Sequence, residues 1–257
     1  MNEKSSEIKW EKRDHVRLMT LNRPDKLNAL TPDGEDELSK RLIEFRDDEE
    51  AWVLVITGSG RAFSTGLDLS KAHKRMATAH RPPTLIGTDA VETWKPIIAA
   101  INGYCLGGGC EMALNCDIRI AGDDVRIGLP EVKRALIPGK GGIARMMRVI
   151  PRGWAMYMLL TGDWLEADDA ERVGLVQKVV PSDELVDEAI KLAERICQNG
   201  PLAVRAVKEA ALRGADIPLH AAMAQDQFIS FKNRQSEDAK EGPKAFVEKR
   251  KPVYKGQ

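Results

Sequence analysis

Two short segments, AWVLVITGSG from Ala51 and KPIIAAING from Lys95, are apolar almost without a polar break and then close on glycine. A strand with one face in water alternates apolar and polar positions, whereas an unbroken apolar run belongs to a strand covered on both faces. Such strands require a layer of structure on either side. The rest of the chain supplies the layers. HVRLMTLNRP alternates as a strand ended by Pro24. LTPDGEDELSKRLIEFRDD predicts a helix with Thr31 as N-cap, Pro32 at the first helical position, and Leu38, Leu42 and Phe45 on one face. A helix led by glycines follows GYCL, and DIRIA reads as the next strand. Strand, helix and strand in repeated succession imply an α/β core with parallel pairing.

Beyond Pro181 the chain turns helical. In SDELVDEAIKLAERICQNG, Leu185, Ala189, Leu192 and Ile196 mark one face before Gly200-Pro201 ends the helix; PLAVRAVKEAALRG and the tail from Leu219 predict more helix. A boundary near Asn199 divides a core, residues 1–199, from a helical extension, 200–257. The stretch from Lys71 to Asp89 lacks periodicity and carries a Pro-Pro pair, so it reads as a mobile surface segment and candidate lid.

Charge and cysteine usage narrow the function classes. Lys and Arg together number 39 and so do Asp and Glu, so the formal net charge is zero. No long basic run is present, and a nucleic-acid partner is not expected, although a local cationic pocket for a phosphorylated ligand stays open. No apolar run reaches membrane-spanning length, and MNEKSSEIKWEKRD has no signal-peptide core. Cys105, Cys110, Cys116 and Cys197 form no CxxC pair and have no histidine at zinc-ligand spacing. Reduced thiols, no metal and a cytoplasmic location are the expectation.

Several motifs fail. Gly139, Gly141 and Ala144 fit the loose dinucleotide pattern GxGxxA, but Pro138 precedes them and no long buried strand leads in. No phosphate-binding GxxxxGK[ST] occurs. Ser64 in AFSTG lacks the first glycine of a nucleophile elbow, and His15, His73, His80 and His220 are scattered without a nucleophilic partner. What remains is carboxylate chemistry.

Gly107, Gly108 and Gly109 stand directly before a helical segment, although glycine is costly to order in a helix. One reading is functional: bare backbone approaches a ligand, and the unpaired N–H groups of a helix start hold a phosphate or a transient oxyanion. The other is a tight strand-to-helix crossing. A second glycine turn, RAFSTGLDL, can place another donor at Leu67, which favours function. Glu111, in the first turn of the glycine-led helix, either meets a ligand there or merely complements the dipole. Glu131, after Pro130 in GLPEVKRAL, is either a second acid or an ordinary helix-start glutamate.

The segments LNRPDKLNAL, VITGSGRAFSTGLDL, INGYCLGGGCEMALNCDIRIA, GLPEVKRALIPGKGG, GLVQKVVP and SEDAKEGPKAFVEKRKPVY occur in this order over almost the whole chain. Together they resemble the crotonase superfamily, and within it the enoyl-CoA hydratases. The resemblance implies a spiral of ββα turns followed by a helical C-terminal trimerisation region, with trimers that stack in pairs. It implies an acyl-CoA thioester substrate and no separate cofactor, coenzyme A being part of the substrate. The amides of Leu67 and Gly108 would form the oxyanion hole, and Glu111 and Glu131 would be the acid–base pair, with Glu111 activating water and Glu131 exchanging a proton at C2. Two close carboxylates would push one pKa up and leave a donor near neutrality. Lys26, Leu27, Ala62, Ser64, Thr65, Gly66 and Asp68 would line the CoA path, with Lys249 or Lys251 reaching phosphate.

The chain departs from the common hydratase form at Lys140, Ile143 and Ala144, which are expected to reshape the acyl pocket. The rival readings are another crotonase reaction (isomerase, decarboxylase or thioester hydrolase) and a non-catalytic RNA- or CoA-binding relative.

Overall fold

The computed structural model describes residues 6–71 and 91–257. The candidate lid lies outside the described residues from 72 onward, as do His73 and His80. The strands are β1 (Ile8–Arg13), β2 (Val16–Leu21), β3 (Val53–Gly58), β4 (Ala62–Ser64), β5 (Ile97–Ile101), β6 (Tyr104–Leu106), β7 (Ile118–Gly122), β8 (Arg126–Gly128), β9 (Trp164–Glu166) and β10 (Lys178–Val180). The α-helices are α1 (Pro32–Asp47), α2 (Gly108–Asn115), α3 (Gly142–Val149), α4 (Arg152–Thr161), α5 (Ala167–Arg172), α6 (Leu185–Cys197), α7 (Pro201–Gly214), α8 (Leu219–Asn233) and α9 (Glu237–Val247).

Two sheets organise the core. Six strands pair in the order β1-β2-β3-β5-β7-β10, and four in the order β4-β6-β8-β9. Only the β1–β2 and β8–β9 pairs are antiparallel; the others run parallel. Each successive strand pair (β3 and β4, β5 and β6, β7 and β8) sends its first member to the larger sheet and its second to the smaller one. The result is the spiral of ββα turns that the resemblance implied.

The unbroken apolar strands are covered on both faces, as period-2 geometry requires. Leu54 and Ile56 of β3, with Ile97, Ala99 and Ile101 of β5, enter one apolar layer together with Leu38, Leu42 and Phe45 of α1. Val53, Val55, Ile98 and Ala100 enter the opposite layer, against Leu185, Ala189, Ile190 and Ala193 of α6. The inward face of α6 is therefore rotated from the expected one, and Leu192 and Ile196 are half-buried at its margin.

The predicted start of α1 is present in detail: the Thr31 hydroxyl accepts from the Gly34 amide at 3.0 Å, with Pro32 at the first helical position. At the other end, the buried Lys95 ammonium donates to the carbonyls of Phe45 and Asp48 at 2.8 and 2.7 Å. The Phe45 carbonyl is an orphan acceptor of the helix C-terminus and Asp48 is its C-cap, and a cation also complements the dipole there. α1 is thus fixed at both ends, which matters because one of its side chains reaches the site. Cys105, Cys110 and Cys116 are buried and none is in a disulfide; burial pushes the Cys116 thiol up to about 12. His15 stacks on Trp52 with ring centroids 3.7 Å apart. Among the described residues no helix is long and apolar enough to cross a membrane.

Candidate active site

The site begins with a loop whose order comes from Asn28. Leu27 and Asn28 both adopt left-handed backbone, with φ of 49° and 53°, a conformation that asparagine tolerates better than most residues. The Asn28 side chain then clamps the neighbouring turn. Its amide nitrogen donates to the carbonyls of Ser59 (3.0 Å) and Ala62 (2.6 Å), and its oxygen accepts from the Arg23 amide at 2.8 Å. The Ser64 hydroxyl donates to the Asn28 carbonyl at 2.9 Å and accepts from the Gly66 amide at 3.1 Å. With the left-handed Asn28 bracing it, the 64–68 turn is preset.

Leu30 pairs across the same turn. Its amide donates to the Gly66 carbonyl at 2.7 Å, and its carbonyl accepts from the Asp68 amide at 2.9 Å. In a parallel bridge the residue between two such bonds directs its own N–H away, so the Leu67 amide points off Leu30. On that side stands the N-terminus of α2. A Cβ built on Gly66, whose φ is +85°, would lie 2.5 Å from the Gly108 nitrogen. The two glycine turns therefore touch through bare backbone, and the triple glycine forms a tight crossing at a helix start. Gly107, the N-cap of α2, has φ +56° and ψ −126°, a backbone that glycine adopts without penalty.

Both glutamates reach this place. Glu111, in the first turn of α2, is 3% exposed. Its Oε1 accepts from two amides, Lys140 N at 2.7 Å and Gly142 N at 2.9 Å. The GKGGIA segment is thus the start of α3, with Gly141 as a left-handed N-cap, and the anion held there is the chain's own carboxylate. Glu131 is the second residue of a 3₁₀ helix, Pro130–Arg134, a single tight turn in place of the expected helix start. Its Oε1 lies 3.3 Å from where a Gly107 side chain would begin, and its buried Oε2 has no partner among the described residues. Burial pushes the Glu131 carboxyl up to about 7, and the charge of Glu111 adds to the rise. A raised pKa was expected from like-charge repulsion; its leading cause is desolvation.

The candidate CoA residues divide. Lys26 is exposed and Leu27 and Thr65 are half-exposed beside the turn, with Gly66 at its centre. Ala62 and Ser64 are 1% and 0% exposed, and their polar groups are used inside the loop. Neither presents an exposed side chain. The Asp68 carboxylate is held by the Ser70 hydroxyl at 2.5 Å and by Arg23 at 3.3 Å, and these contacts keep it below the usual carboxylate range, Ser70 most of all. An anion so placed fixes the loop and would repel a phosphate. Lys249 and Lys251 are exposed in the turn after α9, and no contact among the described residues joins them to the glycine turns.

The three departures from the common hydratase form also divide. Ile143 and Ala144 are exposed, but Lys140 is buried, with its ammonium 2.8 Å from Glu35 of α1. Its side chain turns inward to α1. Asn28, Arg23 and the Lys140–Glu35 pair were missed as parts of the site. Glu35 did leave a signal: it falls on the buried stripe with Leu38, Ser39, Leu42 and Phe45, and a charge at such a position calls for a buried partner.

Comparison with known proteins extends this picture. The family model described as enoyl-CoA hydratase/isomerase matches residues 11–257. The chain is 42% identical to an (E)-benzylidenesuccinyl-CoA hydratase of Thauera aromatica, over 95% of this chain and 96% of that one. It is 38% identical to a 2,3-dehydroadipyl-CoA hydratase of Escherichia coli, over 98% and 99%. A crystal structure of an enoyl-CoA hydratase from Mycobacterium marinum superposes with a TM-score of 0.92 at 36% identity, covering 98% of this chain and 100% of that one.

Gly66→Ala puts a methyl group into the contact between the turns and onto a positive φ. Steady-state turnover is expected to fall about 10²–10³-fold, the scale of losing an oxyanion donor, with the far-UV dichroism of the parent; unchanged turnover would mean that the turns do not act together. Glu131 also predicts a pH dependence of stability. Its folded pKa is raised from 4.5 to about 7, so the folded state holds this proton more tightly than the unfolded chain. The stabilisation is complete below 4.5 and is lost as pH rises through about 7. The urea midpoint of Glu131→Gln should therefore gain on the parent between pH 4.5 and pH 7; a constant difference across that window would contradict the raised value.

Proposed function

We propose residue roles for an enzyme that belongs to the enoyl-CoA hydratase/isomerase family and acts as an enoyl-CoA hydratase. The reaction adds water across the 2,3 double bond of a 2-enoyl-CoA. In our reading the thioester oxygen accepts from the Leu67 and Gly108 amides. Charge then builds on that oxygen during attack, C3 becomes electrophilic, and the rigid amides stabilise the enolate without reorganising.

Water is too weak a nucleophile alone, so a base must take its proton as the C3–O bond forms. Glu111 suits that role, because its Oε1 is oriented by two amides that only an acceptor can match. Glu131 then delivers a proton to C2 of the enolate, and a carboxyl titrating at about 7 is available as a donor near neutrality. Water's oxygen ends on C3, one hydrogen on C2, and exchange between the two carboxyl groups restores the starting protonation. No cofactor enters this scheme. The observation that carries it is that Glu131 stands beside Gly107 while Glu111 rises from the first turn of the helix whose start the Gly66 turn touches. Thr65, Gly66 and the Lys26–Leu27 turn support the reading of an adjoining CoA path, and the buried reduced cysteines fit a cytoplasmic location.

The C-terminal region, 200–257, is proposed as the oligomerisation surface of a homotrimer or dimer of trimers. α8 has no buried residue, yet it carries Leu219, Met223, Phe228 and Phe231 at 56–76% exposure. A helix so apolar is covered by another surface in water, and copies of the same chain supply one through closed symmetry.

Glu111→Gln and Glu131→Gln are each expected to lower crotonyl-CoA hydration about 10²–10⁴-fold while butyryl-CoA binding stays within about threefold. The loss of conjugated-thioester absorbance follows the rate, and incorporation of oxygen from labelled water separates hydration from isomerisation. Near-normal turnover in either variant removes that glutamate from the scheme. Sedimentation equilibrium is expected to return a trimer or hexamer mass; a monomer would refute the role given to α8.

A further inference from the structure

We propose that the buried Lys140–Glu35 ion pair is a positioning device for Glu111, an inference that rests on the reading of Glu111 as the base. The Lys140 and Glu35 side chains are 9% and 3% exposed, and Nζ lies 2.8 Å from Oε1. Burying two charges costs several kcal/mol per ion before their attraction is counted, and a well-packed apolar pair is often at least as stable. Stability alone therefore does not account for the pair.

Its location does. Lys140 is also the residue whose amide donates to Glu111 Oε1 at 2.7 Å, and the second donor, Gly142, is two residues on. Between Pro138 and Ile143 every other residue is glycine. A chain of this composition has little preferred direction of its own, so the aim of its amides depends on what anchors it. Lys140 is anchored twice: its ammonium by Glu35, and its carbonyl by the Arg145 guanidinium at 3.0 Å. Glu35 in turn stands on α1, whose Leu38, Leu42 and Phe45 are locked in the core. A rigid line runs from the α1 core through Glu35 and Lys140 to the oxygen of Glu111. Within the pair the two charges are opposite, so the ammonium is offset by the Glu35 carboxylate. A charge-assisted hydrogen bond is directional and an apolar contact is not, which is what an aiming device requires.

The test uses full-length Lys140→Met, Glu35→Gln and the double variant Lys140→Met/Glu35→Leu, with Lys140→Met also made in Glu111→Gln. For each, kcat and KM on crotonyl-CoA, Kd for butyryl-CoA and thermal unfolding are measured. Each single variant is expected to lose about 10–100-fold in kcat, as misaimed groups do, with KM and Kd within about threefold. The double variant removes both buried charges, so it keeps the fold where a single variant does not, and the same kcat loss is expected in it. In the Glu111→Gln background, Lys140→Met should cost less than about threefold more, because a residue acting through Glu111 has nothing left to aim. Equal losses in both backgrounds would make the pair merely structural and overturn the proposal. So would a double variant with parental kcat, or a loss confined to KM and Kd. Should Glu111→Gln itself turn over normally, the base assignment fails; should it be inactive while folded Lys140→Met has parental kcat, only the positioning inference fails.

Discussion

The backbone of Gly66 lies against the backbone of Gly108, closer than any side chain would permit, and the rest of the site is arranged around that approach. It joins a turn after the second strand of one ββα unit to the helix start of the next, bringing two amides with no sequence proximity to one place. Hydrogen bonds between the 28–30 segment and the 64–68 turn hold one side: Ser64 to Asn28, Leu30 to Gly66 and Asp68 to Leu30. Spiral topology holds the other, because β4 and β6 are neighbours in the smaller sheet. Preorganisation of this kind is where much of an enzyme's transition-state stabilisation resides.

The two carboxylates differ because their surroundings differ. Glu111 is buried deeper but receives two amide hydrogen bonds, whereas Glu131 has one buried oxygen without a partner among the described residues and a pKa near 7. Desolvation without compensation favours the neutral acid; donated hydrogen bonds suit the anion. The proposed base and the proposed acid are residues of the same type in different surroundings. The arrangement draws on elements distant in sequence: α2, the 3₁₀ turn, the start of α3 and, through the buried ion pair, α1.

Legibility followed the size of the local signal. The doubly covered strands and the Thr31–Pro32 helix start were plain, because burial on two faces and an N-cap each leave a pattern in consecutive residues. β1 was missed: its residues IKWEKR lie on the sheet edge with one buried side chain, so no alternation shows. β6, β8 and β9, at three residues each, are too short for any period to register. The glycine turns and the two glutamates were recognisable as a motif set, yet Asn28 was not, since its role depends on contacts 31 and 34 residues away. Ser64 and Asp68 looked like ligand groups, and in the structure they bond to Asn28 and Gly66, and to Arg23 and Ser70.

From the residues alone came the α/β class, the parallel pairing, the candidate acids and the idea that bare backbone near Gly66 and Gly108 meets negative charge. Periodicity, capping and glycine placement are local properties, written into neighbouring positions. Only the folded chain decided which backbones touch, which glutamate has a buried oxygen without a partner among the described residues, and that Lys140 turns inward to Glu35, 105 residues away. Those outcomes depend on distance and solvent exclusion between segments far apart in sequence, quantities that exist only after the layers have packed.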